Sequence, residues 1–319
     1  MTLIRILVLI LLLILGFYAP AICQISRWEA GAIGGPIAYL GDLGGNNGRG
    51  GVLLKDYTWK STRCAQGAYL GYHPKDDWLS LRLSLIHGEL AGDDAWIKPG
   101  KDGDEQTRRE RNLDFRSALD EVAVMAEIYP TVWLENGSGK GKGKKNKLKP
   151  YVSLGVGIFH FNPQGTYTDP SGNSSWVDLR PLHTEGEGFP EYPDRKMYAL
   201  TQLCIPMGTG VTYFLDERWS ISGEIMNIKT FTDYIDDVST RYIDPSLFYK
   251  YLSPSLAPVA DYMSNKSPLR NTPGSGYQPG DKRGDPGDKD GYIRFEIKVG
   301  IRLGKTFNPW PLSGRPMRY

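Results

Sequence analysis

Three cysteines, four histidines and a formal charge of only +2 in 319 residues deprive several kinds of protein of the groups they work with. Cys64 and Cys204 stand in no C-x-x-C or His/Cys spacing, so neither a disulfide framework nor a structural zinc site can be built from them. They read as small apolar fillers, with a single bridge as the alternative. Near-neutral charge offers little to neutralise phosphates, and no nucleic-acid partner is expected. Aromatic residues, at 12%, are too many for a disordered chain. Beyond residue 15 no apolar run approaches the roughly 20 residues of a membrane helix. The mean hydropathy of -0.38 is that of a soluble protein, yet strands that alternate polar and apolar side chains across a bilayer give the same average.

What the chain has is a marked N-terminus. Arg5 precedes ten unbroken apolar residues, Ile6 to Leu15, followed by Pro20 and Ala21-Ile22-Cys23. A charged start, a short apolar stretch and small residues make a secretory signal over residues 1–23. A lipoprotein signal acylated at Cys23 is the alternative, but large Ile22 precedes that cysteine.

The remainder, 24–319, reads as one barrel domain. Leu79, Leu81, Leu83 and Leu85 alternate with Ser80, Arg82 and Ser84; Ile293, Phe295, Ile297, Val299, Ile301 and Leu303 alternate with Arg294, Glu296, Lys298, Gly300 and Arg302. Period two argues strand, and eleven residues of it suit a membrane strand of about 9 to 11 tilted residues. Weaker alternations complete eight expected strands at roughly 28–40, 64–72, 78–90, 113–135, 150–161, 198–215, 218–231 and 291–303. The connections alternate in length. Gly41 to Arg63, Ala91 to Asn112, Asn162 to Met197 and Thr232 to Asp290 are long, whereas His73 to Asp77, Asn136 to Lys149 and Asp216 to Glu217 are shorter. Membrane barrels show this asymmetry, short turns inside and long loops outside. The expected fold is therefore an all-β, up-and-down antiparallel transmembrane barrel, with long loops on the extracellular side.

With apolar faces toward lipid, Arg82, Glu121, Glu127, Glu224, Arg294, Glu296, Lys298 and Arg302 point inward. Eight strands leave a lumen that side chains fill, so these four acids and four bases must pair, giving a closed plug and no diffusion pore. Trp78, Trp219, Tyr72, Tyr129 with Trp133, Tyr151 and Tyr213 fall at strand ends, as headgroup-level aromatics do.

Other motifs weigh little. Gly137 to Lys145 is Gly/Lys-rich without phosphate-loop spacing and reads as a flexible basic turn; with Lys147 and Lys149, its lysines could meet an acidic partner. Asp285 to Gly291 lacks calcium-loop ligands at its first and twelfth positions. Arg283-Gly284-Asp285 is an adhesion tripeptide of a kind that recurs by chance. His73, His87, His160 and His183 accompany no serine elbow or zinc motif. Glu185 and Glu187 lie near His183, and Asp233, Asp236 and Asp237 form an acidic group of the sort that is usually a solvated turn. No enzyme, metal, cofactor or small-molecule substrate is expected.

Several phrases carry a family resemblance. Tyr39-Leu40-Gly41-Asp42-Leu43-Gly44-Gly45-Asn46, Arg111-Asn112-Leu113-Asp114-Phe115-Arg116-Ser117, Phe161-Asn162-Pro163, Thr184-Glu185-Gly186-Glu187-Gly188 and Phe231 to Ser239 run in order through most of the chain. They resemble the PorG family, outer-membrane barrel components of the type IX secretion and gliding apparatus of Bacteroidota. The resemblance implies a non-enzymatic scaffold in outer-membrane lipid that associates with a periplasmic ring of the PorK lipoprotein and PorN. Its family-motif residues here are Tyr39, Gly41, Asp42, Gly44, Asn46, Asn112, Phe115, Arg116, Ser117, Glu185, Gly186, Gly188, Asp233, Tyr234, Asp236, Asp237 and Ser239. A surface-exposed binding or adhesion barrel that presents its long loops is the alternative.

Overall fold

A computed structural model describes residues 27–43, 59–74, 78–97, 104–132, 147–216 and 218–303. The expected signal segment, Trp133, the Gly/Lys turn, Gly44 and Asn46 lie outside these described residues.

Among the described residues, period-two patterning becomes nine strands: β1 (Trp28–Leu40), β2 (Arg63–Tyr72), β3 (Leu79–Asp93), β4 (Asp114–Ile128), β5 (Leu148–Thr168), β6 (Ser174–Asp178), β7 (Thr201–Phe214), β8 (Trp219–Thr230) and β9 (Gly291–Arg302). Each pairs antiparallel with its neighbours, and β1 pairing with β9 while β4 pairs with β5 closes eight of them into a ring. The ninth, β6, is a short return strand on the far end of β5. Closure leaves the eight ring strands no open edge within the bilayer, the condition for a sheet to span one. No helix is long and apolar enough to cross a membrane among the described residues.

Two expected boundaries change. The fourth strand ends at Ile128 and not near 135, because Pro130 opens a helical turn over 130–132, a position where a missing N–H costs nothing. The fifth runs past Asn162-Pro163 to Thr168. Pro163 sits where the partner on one side of β5 changes from β7 to β6, so its absent N–H breaks no regular ladder.

The outer face defines an apolar band. On β5, Val152, Leu154, Val156 and Ile158 are exposed, as are Leu81, Leu85, Val124, Leu203, Ile221, Ile225, Ile297 and Val299 on other strands. From Leu148 to Ile158, at about 3.3 Å per residue and a tilt of roughly 40°, the band is about 25 Å tall. One register step above, it stops abruptly. Gln66, His87, Asp120, His160 and Thr201 are successive cross-strand partners around the ring, all facing out, with His87 2.8 Å from Asp120 and His160 3.0 Å from Thr201. At the opposite end, exposed Trp28, Tyr213 and Trp219 border the band, and Trp28 packs on Tyr72 with ring centres 5.0 Å apart. Tyr129 and Tyr151 depart from the girdle expectation. Both are buried inside the ring. Cys64 and Cys204 are unbridged, Cys64 being exposed on the outer face instead of filling a core.

The connections after β1, β3, β5 and β8 leave from one end, and the start of β1 and the end of β9, toward the chain termini, lie at the other. At the loop end lie α1 (Asp104–Arg111), α2 (Ser246–Tyr251) and α3 (Ala257–Ser264). Phe189, Ile243, Phe248, Ala260 and Met263 form a second apolar core there, with Leu179 and Leu182. The loops thus fold into a body of their own.

Candidate functional site

The lumen is layered along the barrel axis. Nearest the termini, Arg82 bridges Glu224 at 2.7 Å and Glu127 at 3.0 Å, and Lys298 reaches the same two carboxylates at 3.1 and 2.8 Å. Glu224 and Glu296 are direct cross-strand partners, a repulsive pairing relieved because Arg82 and Lys298 hold the first while Arg294 holds the second at 2.7 Å. Arg294 also forks onto both oxygens of Glu121, at 2.6 and 3.0 Å, and Tyr292 donates to that carboxylate at 2.5 Å. All eight charges expected to face inward do so and are buried.

Two further lumen charges escaped the sequence reading. Glu29 accepts a 2.5 Å hydrogen bond from Tyr69 and sits 3.6 Å from His73 and 3.8 Å from Arg302. Lys149 is no turn residue but an inward, buried member of β5. One acid and one base are added, so the ladder stays balanced at five of each among the described residues. A cavity of about 10 Å³ remains near the termini, lined by Glu29, His73, Arg82, Glu127 and Lys298 among others, room for one water-sized sphere.

Above the charges the lumen turns apolar. Leu90, Leu119, Phe159, Phe161, Met226 and Ile228 are almost completely buried in one cluster with Ile37, Phe115 and Tyr292. At about 25 cal/mol per Å² of apolar surface removed from water, such a layer both closes the bore and holds the strands together.

The family-motif residues meet on top of this layer, in a cap made from four connections. Tyr39 donates a very short hydrogen bond to Asp290, whose other oxygen accepts from Ile235 N–H at 2.8 Å. Gly41 must be glycine: a Cβ there would overlap both the Tyr39 hydroxyl and the Asp290 carboxylate. Asp42 accepts from Asp285 N–H at 2.7 Å. Asp236 accepts from Leu43 and Val238 N–H at 3.1 and 2.9 Å, tying the β8 connection to the end of β1. Glu185 accepts from Ser239 and Thr240 N–H and from Arg283 at 2.8 to 2.9 Å. Asp237, at φ 65°, accepts from Thr184 at 2.5 Å and Tyr198 at 2.6 Å. Ser239 donates to Asp233 at 2.6 Å. Tyr234 stacks on Tyr198 with centres 4.7 Å apart.

The remaining motif residues are structural. Asn112 takes the left-handed φ of 58° just past α1, a conformation asparagine tolerates. Phe115 packs edge-on against Tyr39, Ser117 caps Asn162 N–H at 2.9 Å, and Gly186 and Gly188 supply φ of 77° and 80°. Arg116 is the exception. It lies on the outer face, 4.3 Å over the Trp176 ring, apart from the cap.

One expectation is corrected here. Asp233, Asp236 and Asp237 are not a solvated turn, since all are buried. Arg283 is buried as well, in keeping with the reading of Arg283-Gly284-Asp285 as a chance tripeptide. Asp290, the last residue of the long connection after β8, anchors Tyr39. Sequence reasoning also missed the bidentate Arg111–Asp94 pair, at 2.9 Å for both contacts; no local spacing signals it. His183 turns its Nδ1 to the Glu187 carbonyl at 2.5 Å and stacks on Phe189, while Asp236 accepts from main-chain donors.

A closed ring of eight antiparallel strands, apolar outside and charge-paired inside, is the architecture of an outer-membrane β-barrel protein. Among solved structures the chain is similar to Neisserial surface protein A (10% identity, covering 87% of this chain and 97% of that one, TM-score 0.36) and to Ail, the attachment invasion locus protein of Yersinia pestis, in complex with a heparin analogue (8%, 87% and 99%, 0.34). A major outer membrane protein of Thermus thermophilus is similar at 13% identity, 86% and 99% coverage and TM-score 0.36. No family model and no curated protein sequence matches the chain. The barrel assignment rests on the strand pairing itself.

Proposed function

We propose that this barrel is a non-enzymatic scaffold of the type IX secretion and gliding apparatus, embedded in the outer membrane and associating with a periplasmic ring of PorK- and PorN-like proteins. The observation that carries the reading is the resemblance of its loop phrases to the PorG family, supported by the convergence of those phrases in one cap although they are scattered over the chain. The filled lumen favours a role through surfaces over one through transport. The cap lies at the end opposite the termini; with a periplasmic N-terminus it faces outward, and the ring contact falls to the short-turn end. Motif residues then maintain the barrel that presents that end.

Solubilising the envelope with mild detergent and capturing the tagged barrel tests this. Co-purification of the ring lipoprotein, with loss of secretion on deleting the gene, is the expected result. Capture without ring proteins, together with intact secretion in the deletion strain, contradicts it. The folded loop body favours a second reading, a surface-binding barrel. Under that reading, variants of exposed Trp176 or Tyr249 abolish binding to other cells or surface ligands and leave secretion untouched.

A further inference from the structure

The cap contains more buried acid than base. Among the described residues Asp94, Glu185, Glu187, Asp233, Asp236, Asp237 and Asp290 are buried there against two guanidiniums, Arg111 and Arg283. Asp94 is taken by Arg111 and Glu185 by Arg283. The other five receive hydroxyl and main-chain N–H donors. One oxygen of Glu187 and one of Asp233 have no hydrogen-bond partner at all, a costly state for a buried carboxylate.

The surroundings of each group oppose a full set of negative charges. Asp236 faces Asp42, Tyr39 and Arg111, and Asp290 faces Asp236, Asp233 and Tyr39. Asp233 faces Asp42, Glu185 and Lys289. Glu187 and Asp237 face each other together with Glu185 and Arg283. Carboxyls crowded together out of water keep protons instead of ionising together. No metal-binding constellation exists among the described residues, and a proton on a carboxyl neutralises it where it stands.

We propose that the cap is a proton-held latch, closed over the barrel mouth while Glu187, Asp233 and their neighbours are protonated and released when they ionise. Glu187 and Asp233 bond within their own connections, while their neighbours Asp236, Asp237 and Asp290 tie the ends of β1, β5, β8 and β9 together. Ionisation of the cluster therefore frees the β5 and β8 connections from the mouth together. Burial first, then Asp237 and Glu185, pushes the Glu187 carboxyl up to about 8. Burial, with Asp42 adding, pushes Asp233 up to about 7, and burial pushes Asp237 up to about 6. In the open state these groups return to the ordinary carboxylate value near 4. The closed state therefore binds more protons. Its advantage is full below about pH 4, declines up to tenfold per pH unit for each proton released, and is lost as pH rises through about 6 to 8.

Hydrogen exchange by mass spectrometry on the full-length barrel in detergent, corrected for intrinsic exchange rates, reads the latch directly. Protection of residues 183–189 and 232–240 is expected to fall at least about tenfold between pH 6 and pH 8, with β4 unchanged and EDTA without effect. E187Q/D233N, which keeps both groups neutral, should flatten the profile. Protection that stays level from pH 6 to 8, that drops toward acid, or that EDTA abolishes at pH 6 overturns the latch; if the double variant does not fold, the wild-type profile alone decides.

Discussion

At the residue scale, the charges of the lumen are strong only as pairs. Arg294 holds Glu121 through two contacts and Glu296 through a third, and all three are buried. Removing one partner leaves an uncompensated buried charge, worth about 3 to 5 kcal/mol. R294M is accordingly expected to lower the temperature at which the barrel loses its folded mobility in SDS gels, and adding E121Q to R294M should recover part of the loss. Equal damage from the single and double variants would show that the pairing is incidental. In the cap, G41A places a methyl group on the Tyr39–Asp290 contact. A cost of about 1 to 3 kcal/mol, confined to the loop end, is expected in hydrogen exchange.

The lumen residues were legible in the sequence because a period of two assigns a face to every strand position once lipid is placed on the apolar side. Glu29 was not legible, since the glycines and alanines of β1 blur its alternation, nor was Lys149, which follows a run of lysines that reads as turn. The cap shows the limit of local patterning most clearly. Tyr39 and Asp290 are 251 residues apart, and the burial of Asp233, Asp236 and Asp237 depends on connections that meet only when the ring closes. An Asp-rich phrase looks like a solvated turn until its backbone donors are known.

At the element scale, β5 carries a contrast that tests membrane immersion within one strand. Val156 lies in the middle of the apolar band, whereas Asn162 faces outward above the line of Gln66, His87, Asp120, His160 and Thr201. An arginine at a bilayer midplane costs about 2 to 4 kcal/mol, falling to about 0 to 1 near the interface. V156R should therefore reduce folding into lipid vesicles strongly and N162R hardly at all. Equal tolerance would remove the band as a lipid contact. The ends of β4 and β5 were misjudged from sequence for opposite reasons: the expected fourth strand ran through Pro130, and the expected fifth stopped before Pro163. Pro130 starts a helical turn, and Pro163 sits where the partner of β5 changes from β7 to β6, so its missing donor disturbs no regular pairing.

At the scale of the whole molecule, three layers close the same bore: a balanced charge ladder, an apolar layer and a carboxyl-rich cap. Opening the cap alone leaves the Phe159–Phe161 layer and the Arg294–Glu121 pair in the bore, so the latch concerns the loops and not transport. Under the proposed scaffold role, such a protein works through what its ends touch. Conductance across a planar lipid bilayer tests that claim most directly. Purified barrel inserted at pH 6 is expected to give no discrete conductance steps above the bare membrane, and reproducible steps from correctly folded, heat-modifiable protein would contradict a closed scaffold.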